Sequence, residues 1–341
     1  MLPVAPPIKP MLAKAGADIP DGDGWLHEPK WDGFRTIVFR DRDALHLRSR
    51  NDRPMNRYFP EVERTLLDAL PDRCVLDGEI ILPTDGGLEF ETLQLRLHPA
   101  ASRVDLLAAE TPCSFVAFDV LGVGDEDLMA QPLGRRLEAL DDLLGGQTTD
   151  DPALPATAPG PALYRTARTS DVDVARRWFV DLEDIGCDGL ICKRSDQAYL
   201  PGDRGWVKVK HRRTADCVVG GYRLHKDRTG IGALLLGLYD DGDLRYVGHT
   251  SSFKAAERRE LLATLEPMRA ERSFSGDWGP GGPSRWSGGR ETEWIAVEPK
   301  LVCEVSYDFV QSGQRFRHAA TFIRWRDDKP PDACTFDQVT R

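Results

Sequence analysis

Residues 28–35 read Glu28-Pro29-Lys30-Trp31-Asp32-Gly33-Phe34-Arg35, and the chain is best understood outward from this string. A lysine acts as a nucleophile only when its amine is neutral, which requires a depressed pKa. Neighbouring cations disfavour the ammonium form. Arg35 is close in sequence, and Lys208 and Lys210 are available if the chain returns to this point. Gly33 permits close backbone approach at a tight turn. Taken alone, the string is equally compatible with a surface turn.

The residues that follow predict an antiparallel pair. Thr36-Ile37-Val38-Phe39 is a β-rich run, Asp41-Arg42-Asp43 makes a turn, and 45–49 alternates at period two. Residues 30–57 carry eight bases against four acids. Such a strip can bind phosphates on a protein that is acidic as a whole, or it can be a solvated strand edge. Residues 59–70 place Phe59, Val62, Leu66 and Leu70 on one helical face, with Pro60 suited to the first turn. Strands are expected at 74–82, 114–121, 188–193 and 206–210, and a helix at 171–184. The Pro/Gly/Thr-rich stretch 145–161 reads as a loop inside one domain.

A boundary is expected near His211-Arg212-Arg213. Beyond it, short strands at 216–224, 232–240 and 244–250, a helix at about 253–269 and strands at 294–309 suit a small β-barrel. The domains predicted are therefore 1–211 and 212–341. The net charge of −10 is uneven: residues 212–341 hold 20 bases and 19 acids, and residues 1–211 hold 25 and 36. The seven cysteines are scattered with no Cys-x-x-Cys pair, which predicts small buried side chains rather than zinc ligands or disulfides. No run approaches the ~20 apolar residues of a membrane span, and the Pro-rich N-terminus lacks the apolar region of an export signal. A cytoplasmic, nucleoid-associated location is expected.

Five further motifs follow in order. They are Ser49-Arg50-Asn51, Leu76-Asp77-Gly78-Glu79, Ala117-Phe118-Asp119-Val120, Asp188-Gly189-Leu190-Ile191-Cys192-Lys193 and Trp206-Val207-Lys208-Val209-Lys210. A sixth, Arg317-His318 with Arg324-Trp325-Arg326-Asp327-Asp328-Lys329, lies in the second domain. Each has a plain structural reading: a strand edge, a core aromatic, a charged surface strand. Their ordered company resembles the covalent nucleotidyltransferases, the superfamily of ATP-dependent DNA ligases, RNA ligases and mRNA capping enzymes. The stretch 297–320 resembles the small bacterial ligase C branch of the ATP-dependent DNA ligases.

The resemblance implies an α+β protein. An ATP-grasp-like nucleotidyltransferase domain of antiparallel sheets with flanking helices would precede an OB-fold barrel. It implies nick sealing in three steps: lysyl-AMP formation on Lys30, transfer of AMP to a 5′-phosphate, and attack by a 3′-hydroxyl. Glu28, Lys30, Arg35, Arg50, Glu79, Phe118, Lys193, Arg204, Lys208, Lys210, Arg326 and Lys329 are the implied nucleotide-binding residues. Phe118 would stack on adenine, and Arg35, Arg50, Lys193, Lys208 and Lys210 would surround the phosphates. Glu79 and Asp188 would hold Mg²⁺ or Mn²⁺; the family commonly has Glu where this chain has the shorter Asp188. Arg326 and Lys329 would orient pyrophosphate, with a hinge near 211–213. Nicked duplex DNA is the implied substrate of a monomer that serves DNA repair beside primase-polymerase-type proteins. Arg285, Trp286 and Arg290 in the Gly-rich stretch 275–290 are candidates for DNA backbone contact. The alternatives are an RNA ligase, a capping guanylyltransferase, or a nucleotide-binding scaffold without catalysis.

Overall fold

The β-branched and aromatic run at 36–39 forms the strand Phe34–Asp41, paired antiparallel with Ala44–Ser49. Arg42, at φ 58°, supplies the left-handed step of the two-residue turn between them. The helix Pro60–Ala69 begins on its proline with Glu61 and Glu63 in the first turn, and buries Val62 and Leu66. Its last carbonyls are taken by Arg40, whose Nη1 donates to Leu66 O at 3.2 Å and Leu70 O at 2.6 Å.

This computed structural model describes residues 2–145, 150–275, 280, 293–311 and 314–339. The chain divides into two compact units, Met1–His211 and Arg212–Arg341. The first contains two principal sheets. One runs Ala13–Ala15, Trp206–Lys210, Gly189–Arg194, Trp25–Pro29 in spatial order. The other runs Leu163–Arg165, Ser114–Val123, Arg73–Ile81, Phe34–Asp41, Ala44–Ser49, with Glu126–Asp127 beside Ser114–Val123. Antiparallel sheets were expected, but each is mixed: Ala13–Ala15 lies parallel to Trp206–Lys210, and Leu163–Arg165 parallel to Ser114–Val123. Both parallel strands are three residues long and sit at an edge, where long connections can return a chain in either direction.

Phe59, Val62 and Leu66 pack with Leu133, Leu137 and Leu140 of the helix Leu133–Leu144 in the main core of this unit. Two ion pairs are buried there as well. Arg96 Nη1 meets Glu61 Oε1 at 2.7 Å, and Arg136 Nε meets Asp119 Oδ1 at 2.7 Å. Removing one partner of such a pair strands a buried charge and costs about 3–5 kcal/mol. Four α-helices among the described residues lie where no element was expected from sequence: Phe90–Gln94, Ala101–Glu110, Leu133–Leu144 and, within the stretch 145–161 expected to be a loop, the single turn Leu154–Thr157. The helix expected at 171–184 spans Val172–Asp181, capped by Asp171, whose side chain accepts from the backbone N–H of Asp173 and Val174.

In the second unit an antiparallel sheet runs Asp243–Thr250, Ile231–Asp240, Arg213–Leu224, Val302–Tyr307, Thr321–Trp325. The helix Ala255–Leu265 packs on it. Among the described residues this sheet is not a closed barrel. Its outer strands approach through a single bridge, Thr250 to Ala320. All seven cysteines are buried and free. No described helix is long and apolar enough to cross a membrane. Arg285, Trp286 and Arg290 lie outside the described residues.

Candidate active site

Strand periodicity places the site. Glu28 faces Ile191, and Ile191 faces Lys208, so the three form one row across the first sheet. Side chains two residues apart share a face, so Lys193 and Trp206 join that row's surface. The second sheet contributes Arg35, Glu79 and Phe118; Arg35 and Glu79 sit directly opposite in register. A cavity of about 300 Å³ opens among these residues. Of the residues expected from sequence, Glu28, Lys30, Arg35, Arg50, Glu79, Phe118, Lys193, Arg204 and Lys208 line it. Lys210 and Asp188 reach it through Lys30. Arg326 and Lys329 belong to the second unit.

Lys30 extends the edge of the first sheet. Its N–H donates to Gly189 O at 2.9 Å, and Asp188 N donates to Lys30 O at 2.9 Å. Gly189 is required at this point: its φ is +122°, and a Cβ there would meet Val209 O at 2.1 Å. Gly33 is equally constrained, since a Cβ would meet Ile80 O at 2.1 Å. This backbone pairing brings Lys30 Nζ to 2.8 Å from Asp188 Oδ2, an oxygen that Lys210 Nζ shares at 2.8 Å.

That ion pair overturns one expectation. Neighbouring cations were expected to depress the Lys30 pKa. Burial does press it down, but Asp188, with Glu79 and Asp32, outweighs burial and raises it above the ordinary lysine value. The lysine that is lowered is Lys208, through burial and the charges of Lys210 and Lys30. Asp188 is itself held below the usual carboxylate range: burial would raise it, and Lys30 and Lys210 together overcome that. Glu79 lies at the other extreme, pushed up to about 8 by burial that Lys30 and Arg35 only partly offset.

Lys193 is also placed differently from expectation. It was expected among the phosphate-binding cations, yet it is fully buried. Its Nζ pairs with Glu28 Oε2 at 2.7 Å and donates to Phe118 O at 2.9 Å. It lies 4.8 Å from the ring centroid of Phe118 and 4.4 Å from that of Trp206. Its charge is therefore spent on fixing Glu28 and the aromatic wall. Glu28 Oε1 stays buried with no hydrogen-bond partner, and burial raises the Glu28 pKa against the pull of Lys193.

Arg35 is gripped from below. Its Nε and Nη2 donate to Asp77 Oδ1 and Oδ2 at 2.9 and 2.5 Å, and Tyr199 Oη donates to Asp77 Oδ2 at 2.6 Å. Asp77 and Tyr199 were not among the expected site residues, nor were the lining aromatics Trp31 and Trp206. Tyr199 carries no sequence signal, because it arrives from a loop 122 residues beyond Asp77. Trp206 did carry one, at period two from Lys208. The basic strip at 30–57 reaches the cavity only in part: Arg35, held by Asp77, and Arg50, exposed at the rim, line it with Lys30, whereas Arg40 is bound to a helix end.

No cluster of three or more metal-ligating side chains occurs among the described residues. The two carboxylates at hand, Glu79 and Asp188, are hard oxygen donors. Mg²⁺ commonly takes one or two such groups together with substrate phosphates. Glu79, whose carboxyl burial raises to about 8 for want of enough positive charge, fits that chemistry, since a bound cation would favour its ionised form; Asp188 already answers two ammonium groups.

Comparison with known proteins agrees along the whole chain. A family model described as the ATP dependent DNA ligase domain matches residues 10–210, and one described as the ATP dependent DNA ligase C terminal region matches 227–329. The chain is 46% identical to DNA ligase C1 of Mycolicibacterium smegmatis, over 99% of this chain and 95% of the relative. It is also 46% identical to DNA ligase C of Mycobacterium tuberculosis, over 100% and 96%. A solved structure from a study of Lig E DNA ligases shares the fold at a TM-score of 0.56 and 19% identity, covering 93% of this chain and 99% of that one.

Proposed function

Because this chain belongs to the family of ATP-dependent DNA ligases, we propose that Lys30 is the residue that carries AMP. The enzyme joins a 5′-phosphate to a 3′-hydroxyl at nicks in DNA through a lysyl-AMP and a DNA-adenylate. The observation that carries the assignment is the placement of Lys30 in the cavity with Arg35, Glu79, Phe118 and Lys208.

In the first step Lys30 Nζ, once it has lost its proton, attacks the α-phosphate of ATP. The new N–P bond forms as pyrophosphate leaves. In the second step an oxygen of the 5′-phosphate takes AMP and Lys30 is freed. In the third the 3′-hydroxyl attacks that phosphate, and AMP departs. Charge stabilisation and positioning supply most of the rate in such transfers. Lys208, Arg50, Arg204 and Arg35 are the cations for that work. Asp77 and Tyr199 keep Arg35 in one orientation, and Glu28 with Phe118 forms the base-binding end. Glu79 and Asp188 would hold a divalent cation, which would supply further positive charge. Arg326 and Lys329 serve the first step by orienting the pyrophosphate. We assign the second unit to the OB-fold class on its five-stranded antiparallel path, and place the enzyme in DNA repair.

The test uses the full chain with α-labelled ATP and Mg²⁺, followed by a denaturing gel. Label should stay on the wild-type protein and be lost in Lys30→Ala, with melting temperature unchanged. Label retained by Lys30→Ala would overturn the assignment. Duplexes nicked with DNA or RNA on the 3′ side then report which strand is sealed.

A further inference from the structure

Arg326 and Lys329 are held by a buried acid that lies in none of the sequence motifs. Asp216, on the strand Arg213–Leu224, is 8% exposed. Arg326 Nη1 donates to its Oδ1 and Oδ2 at 2.9 and 3.0 Å, and Lys329 Nζ donates to Oδ2 at 2.8 Å. The acid is itself clamped: Asp216 N donates to Gln338 Oε1 at 3.1 Å, and Gln338 Nε2 donates to Asp216 O at 3.3 Å. Asp328 takes the other edge of the guanidinium, accepting from Nε and Nη2 at 2.9 Å each. Arg326 N donates to Val302 O at 2.9 Å, which fixes the backbone as well.

The geometry has a direction. Asp216 approaches from the buried side, while Arg326 and Lys329 remain 20% and 24% exposed. A long basic side chain that samples many rotamers meets a phosphate rarely in the right pose. One tethered at its buried edge has already lost that freedom on folding. We propose that Asp216 is a positioning residue for the first chemical step, presetting Arg326 and Lys329 for the pyrophosphate leaving group. This rests on the role assigned above to those two residues.

The experiment separates the steps. Single-turnover lysyl-AMP formation from ATP is measured beside sealing of a nick that already carries AMP on its 5′-phosphate, which needs no ATP. In Asp216→Asn the first should slow by about 10- to 100-fold, and the second should change by less than about threefold. Asp216→Glu, which keeps the charge on a longer arm, should fall between Asn and wild type in the first step alone. Loss in Asp216→Asn should not add to that of Arg326→Ala, because both remove one unit. Equal losses in both reactions, no loss in either, or additivity with Arg326→Ala would overturn the proposal. If Asp216→Asn does not fold, Asp216→Glu decides by the same criterion. Arg326→Ala and Lys329→Ala measured in parallel keep the two ideas apart. If they slow lysyl-AMP formation and the Asp216 variants do not, positioning by Asp216 fails alone. If neither slows it, the role assigned to the basic pair fails.

Discussion

Asp188 Oδ2 answers two ammonium groups at once, Lys30 and Lys210, each at 2.8 Å. Lys30, the proposed AMP carrier, is thus held as a cation, with Asp188 raising its pKa above the ordinary value against the effect of burial. Only the neutral amine attacks phosphorus, so lysyl-AMP formation should rise with pH until the Lys30 pKa is passed. Asp188→Asn removes the largest raising influence and leaves burial, which presses the pKa down. The midpoint of the pH–rate profile should therefore move to lower pH, whatever happens to the maximal rate. Single-turnover adenylylation across pH measures this, and an unmoved midpoint would show that Asp188 does not hold the proton on Lys30. The likeness to the nucleotidyltransferases named Lys30 and Asp188 together. It did not give the sign of their effect on each other, which depends on a distance.

At the scale of elements, the hairpin 34–49 and the helix Pro60–Ala69 were legible because each carries its own period and its own punctuation. Ala101–Glu110 was not, since it buries only Val104 and Leu107 and has no side-chain cap. Leu133–Leu144 was legible in principle from its leucines at 133, 137, 140 and 144. Arg40 shows how an element recruits a residue whose sequence suggests another use. It stands in the basic strip, yet its guanidinium closes the carbonyl end of Pro60–Ala69. Arg40→Met keeps much of the apolar stem and removes that cap, leaving buried carbonyls without a donor. Stability should fall by about 1–3 kcal/mol in urea denaturation, and activity at low temperature should be retained. A stability equal to wild type would mean that water replaces the guanidinium without cost.

For the molecule as a whole, the division at His211 and Arg212 leaves every lining residue of the cavity in the first unit. Residues 1–211 expressed alone should fold cooperatively, since their core clusters draw on no residue of the second unit. Lacking Arg326 and Lys329, that fragment should form lysyl-AMP from ATP at least ~10-fold more slowly than the full chain. Circular dichroism and the labelling gel check the two halves of this expectation. A fragment as fast as the whole would remove the second unit from the first step.

The sequence by itself determined which residue types recur in which order: Glu79, Phe118 and Lys208 on strands of period two, Lys30, Arg50 and Asp188 just outside strand ends, and a division of the chain near 211. Those features are local, and local spacing is written in the chain. Tertiary structure alone decided how the charges are spent. Lys193 went to Glu28 and the aromatic wall, Arg35 to Asp77 and Tyr199, and Arg326 and Lys329 to Asp216. The ion-paired partners stand 42 to 165 residues apart, and ion-pair energy depends on separation and burial, which only the folded chain fixes. Lys30 is the sharpest case: its position is readable from its neighbours in sequence, and its protonation is set by a neighbour in space.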